Sequence, residues 1–308
     1  MGEEKVFTEG IHPLGVDLGE ITLAEVLTRM QTEHQQGIAA VRNAIPQIEP
    51  VVRAYATTYR EGGRIFYVGA GTSGRLGFVD AAELPSTFGI APDLVQVIFP
   101  GNIVDASSEV DSREDDAAAG CRAVARCDVG SNDLVIGVTA SGETPFVLGA
   151  IEEARVRGAR TAGIINNVET ALEELVDMPI VVVTGPELIA GSTRLKAGTV
   201  QKVVLNMLST AAMVSLGKVY RGFMIGLRAN NEKLKKRAIR SLIALTGRET
   251  ALVEKALLSA DCEVDTAFLM LARDLLPDAA RRLLQDSKGN ARMAMKGLEG
   301  GDDVSPNT

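Results

Sequence analysis

The stretch Arg64-Ile65-Phe66-Tyr67-Val68-Gly69 runs directly into Ala70-Gly71-Thr72-Ser73-Gly74. Past Arg64 it is a near-continuous apolar run, as expected of a strand buried on both faces. Its continuation, Gly69 to Gly74, is formally G-x-G-x-x-G at a strand-to-helix junction. Four more Val/Ile-rich runs follow, at Leu94 to Phe99, Leu134 to Thr139, Thr161 to Ile165 and Ile180 to Thr184. Segments long enough for helices separate most of them. Strands alternating with helices predict an α/β fold with a doubly wound five-stranded parallel sheet. Such a sheet binds its ligand at the carboxyl ends of its strands.

Glycines let a backbone approach a phosphate, and a helix N-terminus offers N–H donors and a positive dipole end. A dinucleotide reading of Gly69–Gly74 also needs an acid at the end of the second strand, to hold a ribose. That strand ends in Phe99-Pro100-Gly101, with no acid. Thr72 and Ser73 instead place hydroxyls beside the N–H groups, which suits a terminal phosphate monoester. The third strand ends similarly, in Thr139-Ala140-Ser141-Gly142-Glu143-Thr144-Pro145. One such turn is ordinarily a helix N-cap. Two on neighbouring strand ends can grip one phosphate from two sides. The expected phosphate contacts are Gly71, Thr72, Ser73, Ser141, Gly142 and Thr144.

Composition narrows the chemistry. The 308 residues carry 32 Lys plus Arg and 40 Asp plus Glu, a formal net charge of −8, with 4% aromatic residues. No basic, aromatic-interleaved surface for nucleic acid is evident. No run of 18 apolar residues suggests a membrane span, and Met1 to Phe7 lacks the apolar core of a signal peptide. The three cysteines, Cys121, Cys127 and Cys262, do not read as a disulfide framework; buried free thiols in the cytoplasm are expected. With only His12 and His34, neither a metal site nor chemistry built on several histidines is expected.

Beyond these loops, Gly69 to Gly77 continues into Asp80-Ala81-Ala82-Glu83-Leu84-Pro85-Ser86-Thr87-Phe88-Gly89. Later come Gly185-Pro186-Glu187, Gly191-Ser192-Thr193-Arg194-Leu195-Lys196-Ala197-Gly198-Thr199, Gln201-Lys202 and Leu205-Asn206-Met207-Leu208-Ser209-Thr210. These segments resemble the sugar isomerase (SIS) domain family. Within it they are similar to the N-acetylmuramic acid 6-phosphate etherases and their relative, the glucokinase regulatory protein, from about Thr8 to Lys296. A single SIS unit favours the etherases over the tandem regulator.

The resemblance implies a flavodoxin-like sheet, a phosphorylated amino sugar as substrate, no cofactor and a homodimer with sites at or near its interface. It implies that the D-lactyl ether at C3 of the sugar is cleaved to N-acetylglucosamine 6-phosphate and D-lactate, in cell-wall sugar recycling. The family's catalytic glutamates fall on Glu83 and on Glu114, within Arg113-Glu114-Asp115-Asp116. In isolation, Glu83 also reads as a solvated helix-end residue, and Glu114 as part of an acidic run with Glu109 and Asp111. A carboxylate pair suits the reaction: one group removes the C2 proton α to the open-chain aldehyde, and the other protonates the leaving oxygen. By family, Glu114 is the base and Glu83 the acid. Ser192, Arg194 and Lys196 suit an anionic substrate, or equally a helix cap and structural ion pairs.

If Ser73 to Glu83 is one helix, Glu83 stands roughly 15 Å along its axis from the phosphate loop. Either the helix curves or breaks near Gly77 or Pro85, or a second subunit completes the site. Two departures from the family pattern bear on substrate preference. Thr8-Glu9-Gly10-Ile11-His12-Pro13 lacks the usual Arg-Asn pair, and Glu143 replaces a frequent Arg and repels a phosphate unless it points away.

Residues 1–60 read as an N-terminal arm and helices, helical from Leu23 to about Arg60, and 61–234 as the phosphosugar-binding domain. Residues 235–296 read as a small all-α domain resembling a UBA-like bundle, broken near Gly247, Pro277 and Gly289. The Gly-, Asp- and Pro-rich tail, 297–308, is expected to be disordered.

Overall fold

A computed structural model describes residues 7–103 and 113–297. The tail beyond Gly297, and Glu109 and Asp111 of the acidic run, lie outside the described residues.

Two short 3-10 turns, Phe7–Glu9 and Pro13–Gly15, precede helix α1, Leu23–Arg60. Thr22 and Glu25 start α1 with a reciprocal capping box. Its 38 residues contain Pro46 and Pro50. Then follow β1 (Ile65–Gly69), α2 (Gly71–Phe88), β2 (Val95–Ile98), α3 (Ala117–Arg126), β3 (Leu134–Thr139) and α4 (Pro145–Val156). Next come β4 (Arg160–Ile165), α5 (Ala171–Leu175), β5 (Met178–Val181) and α6 (Lys196–Ser215).

The five strands form one all-parallel sheet in the order β2-β1-β3-β4-β5. Every residue of β1 and β3 is buried, as the apolar runs require of strands covered on both faces. The fifth strand forms two residues earlier than its apolar run suggests. Asp177 accepts from the Thr161 N–H (2.9 Å) and so sets the register before Met178. Pro179, which has no N–H to give, is tolerated because β5 is an edge strand.

The chain divides into two compact units. One runs to Ala82 and resumes over Pro92–Thr210; it holds the sheet. The second joins Glu83–Ala91 to the chain from Ala211 onward. It contains a small hairpin, β6 (Val219–Tyr220) and β7 (Phe223–Met224), and helices α7 (Glu232–Thr246), α8 (Thr250–Ser259), α9 (Val264–Arg273), α10 (Pro277–Asp286) and α11 (Ala291–Gly297). Its core gathers Leu242, Val253, Leu257, Val264, Phe268 and Leu269. Gly247, at φ 66°, ends α7 in the left-handed conformation glycine favours, and Pro277 opens α10. The hairpin's turn, Arg221-Gly222, has positive φ at both positions, as the tight turn matching strand twist needs.

Among the described residues no helix is long and apolar enough to cross a membrane. The cysteines are free, as expected, but half-buried rather than buried. Cys121 lies at the α3–α4 contact, where its Sγ meets the Gly149 carbonyl (3.1 Å).

Candidate functional site

Strand order reverses between β1 and β3, the switch point at which doubly wound sheets bind ligands. These strands are hydrogen-bonded neighbours, with Gly69 opposite Val138. The two hydroxyl-rich loops therefore leave the same edge of the sheet side by side.

The first loop turns directly into α2. A Cβ on Gly74 would stand 2.3 Å from the Gly69 carbonyl oxygen and 2.5 Å from Phe99, so only glycine permits this approach of helix to strand. Gly71, at φ 49°, opens α2 with nothing within 4 Å of where a Cβ would lie. The N–H groups of Gly71, Thr72 and Ser73 stand ahead of the bond from Gly74 N–H to Ala70 (3.1 Å). That is the donor cluster an anion meets at a helix start.

In the second loop Thr144 holds the N-cap position of α4 without a side-chain capping bond. Its hydroxyl instead meets the buried Thr139 hydroxyl at 2.7 Å, and Ser141 meets the same oxygen at 3.1 Å. The simple N-cap reading therefore does not describe Thr144. Gly142 has φ 79°, and a Cβ there would lie 2.4 Å from Thr170.

The Glu143 side chain reaches across to accept from the Ala171 N–H (2.8 Å) at the start of α5. Its carboxylate thus answers a helix dipole rather than opposing a phosphate. Glu143→Ala is expected to cost about 1 kcal/mol of stability as a lost cap, with KM changed by less than about twofold. Urea unfolding and steady-state kinetics check this.

Glu114 is half-buried in the turn before α3. Its carbonyl accepts from the Phe146 N–H (2.9 Å), which fastens it to the first turn of α4, beside Thr144. Glu83 is exposed on α2, in the second compact unit. The helix is continuous from Gly71 to Phe88, through both Gly77 and Pro85, so it does not break at either. Around Pro85 the Glu83 carbonyl accepts from the hydroxyls of Ser86 (3.0 Å) and Thr87 (2.9 Å).

Of the three residues before and at the start of α6, Ser192 is half-buried and Arg194 is exposed. Lys196 is buried: its ammonium binds Glu33 (2.6 Å) and the Pro186 carbonyl (3.0 Å). This is the structural ion pair that stood as the second reading of that lysine. His12 joins it, with Nε2 3.2 Å from the same Glu33 oxygen and Nδ1 accepting from the Leu14 N–H. Of the two residues standing where the Arg-Asn pair is missing, half-buried His12 thus joins the buried Glu33–Lys196 pair, while Ile11 is exposed.

Several participants carried no individual signal in the sequence. Buried Glu187 accepts from both Lys196 and Ala197 N–H groups (3.0 and 2.8 Å), capping α6. Thr8, fully buried, exchanges two hydrogen bonds with Asn167, which also binds the Ala140 carbonyl (3.1 Å). Asp80 accepts from Tyr67 (3.1 Å) and Ser209 (3.3 Å) and pairs with Lys202. Burial pushes its carboxyl above the ordinary range, against the pull of Lys202. Thr8, Asp80, Glu187, Lys202 and Ser209 lie in segments quoted above, whereas Asn167 lies in none. No group of three or more potential metal ligands occurs among the described residues.

Residues 47–155 match the glucokinase regulatory protein N-terminal SIS domain. A phosphoheptose isomerase structure from Francisella tularensis superimposes with a TM-score of 0.51 at 18% identity, over 63% of this chain and 100% of that one; this likeness concerns the fold alone. The family match, on this sheet order with paired loops at the switch point, marks an SIS-type domain. The chain is 42% identical over 293 residues to the N-acetylmuramic acid 6-phosphate etherase of Geobacillus thermodenitrificans, covering 95% of this chain and 99% of that protein. It is 40% identical over 293 residues to the etherase of Caldanaerobacter subterraneus subsp. tengcongensis, covering 95% and 96%. It belongs to the N-acetylmuramic acid 6-phosphate etherase family.

Proposed function

We propose that this chain is a carbon–oxygen lyase that cleaves the D-lactyl ether of N-acetylmuramic acid 6-phosphate. The products are N-acetylglucosamine 6-phosphate and D-lactate, and the role is cell-wall sugar recycling in the cytoplasm. Likeness to etherases over 95% of the chain carries the reading. The two adjoining loops at the switch point support a phosphosugar ligand.

The chemistry follows from the substrate. In the open-chain sugar the C2–H bond is α to the aldehyde. Glu114 takes that proton, and the electron pair moves to form the C2–C3 double bond as the C3–O bond breaks. Glu83 protonates the departing lactyl oxygen. Water then adds at C3 of the unsaturated aldehyde, restoring a hydroxyl there and a proton at C2. The fastening of Glu114 beside Thr144 supports a base close to the second loop. We assign Glu83 to a site completed in a homodimer, because α2 carries it unbroken away from the first loop. A monomer in sedimentation that is fully active would remove the shared-site part of the reading.

Incubation of the purified chain with N-acetylmuramic acid 6-phosphate is expected to release D-lactate stoichiometrically with N-acetylglucosamine 6-phosphate. Binding of the phosphosugar without any lactate would replace the lyase with a sensor.

A further inference from the structure

Ser73 ends a chain of side-chain amides whose polarity is set at the far end. The Val182 main-chain carbonyl can only accept, and it accepts from Asn166 Nδ2 at 3.1 Å. Asn166 Oδ1 therefore faces Gln201 and accepts from its Nε2 at 3.0 Å. Gln201 Oε1 in turn faces Ser73 and takes the hydroxyl proton at 2.9 Å. Asn166 and Gln201 are 0% and 1% exposed, so flipping either amide would leave buried groups facing like partners. A serine hydroxyl has one proton. At Ser73 it is spent inward, and only lone pairs remain for a ligand.

The second loop has the opposite polarity available. If Thr139 donates to Thr144 (2.7 Å), the Thr144 proton is free to point outward. If Thr139 donates to Ser141 instead (3.1 Å), Ser141, whose Oγ also accepts from the Glu143 N–H (3.1 Å), keeps its own proton. Thr139 has one proton, so one of the two loop hydroxyls stays free to donate. A phosphate dianion offers only acceptors. It suits whichever of Ser141 and Thr144 keeps its proton, and the N–H groups of α2, but not the lone pairs of Ser73.

We infer that Gln201 is a positioning residue that makes Ser73 a hydrogen-bond acceptor for the sugar, taking a hydroxyl or acetamido N–H rather than contacting phosphate. This rests on the phosphosugar reading above, and it reassigns Ser73 from the phosphate set expected from the sequence.

Calorimetric titration of the full-length protein with inorganic phosphate and with N-acetylglucosamine 6-phosphate tests the inference. Ser141→Ala/Thr144→Ala removes whichever second-loop hydroxyl donates to the charged group and should weaken phosphate binding about tenfold or more. Ser73→Ala should leave phosphate binding within about twofold while weakening the sugar phosphate by about 2- to 10-fold, the range for a neutral hydrogen bond. Gln201→Met frees the Ser73 proton, so phosphate should bind about 2- to 10-fold more tightly. That gain should vanish in the Ser73→Ala/Gln201→Met double variant. Phosphate binding in Ser73→Ala as weak as in Ser141→Ala/Thr144→Ala overturns the inference, as does unchanged or weaker phosphate binding by a folded Gln201→Met protein. If circular dichroism shows Gln201→Met unfolded, Ser73→Ala decides alone. Failure of the unmutated chain to bind either ligand would instead remove the phosphosugar reading itself.

Discussion

Glu114→Gln is expected to abolish exchange of the C2 proton with solvent deuterium and to lower D-lactate release by about 10²- to 10⁴-fold, the usual contribution of a general base. Gln is nearly isosteric with Glu but cannot take a proton. The main-chain bond from Phe146 N–H to the residue 114 carbonyl does not involve the side chain, so the turn should survive. Folding measured by circular dichroism should therefore be unchanged. Glu83→Gln separates the roles: as general acid, Glu83 acts on the leaving oxygen, so its loss should slow lactate release more than C2 exchange. Deuterium incorporation followed by NMR beside a lactate assay reads both. Normal exchange in Glu114→Gln would show that another group is the base.

The largest stability effect is expected from Lys196→Met. The lysine and Glu33 side chains are only 5% and 7% exposed. Removing the lysine leaves the buried Glu33 carboxylate with His12 Nε2 alone (3.2 Å). Breaking a buried pair costs about 3–5 kcal/mol, whereas removing both members is often near neutral. Glu33→Gln/Lys196→Met should therefore recover most of the loss, and urea denaturation of the single and double variants shows whether it does. The cost should appear in the unfolding midpoint, because the ammonium is turned inward to Glu33 and Pro186. Normal stability with a raised KM would instead make Lys196 a substrate contact.

How much was legible in the sequence depended on whether the signal was periodic or local. Buried strands must be apolar, so β1 to β4 stand close to their apolar runs. The edge strand β5 is shifted, because a side chain across the sheet, Asp177 on Thr161, sets where it pairs. Helix ends marked by Gly247 and Pro277 were readable, since glycine and proline act through their own backbone geometry. The break between α8 and α9 was not: Asp261 and Cys262 hold positive φ there, and neither residue type announces it.

The site divides along the same line. By itself the sequence determined the sheet class and the two glycine- and hydroxyl-rich loops, because each strand and each loop lies in one contiguous segment; the glutamate pair came from the family resemblance alone. Only tertiary structure decided that β1 and β3 are neighbours, that Glu143 turns to α5, that Lys196 pairs inward and that the Ser73 proton is already committed. Those outcomes depend on partners 28 to 163 residues away along the chain. The direction of a side chain or a hydroxyl proton is set by what stands opposite it, and in a folded chain that is rarely its neighbour in sequence.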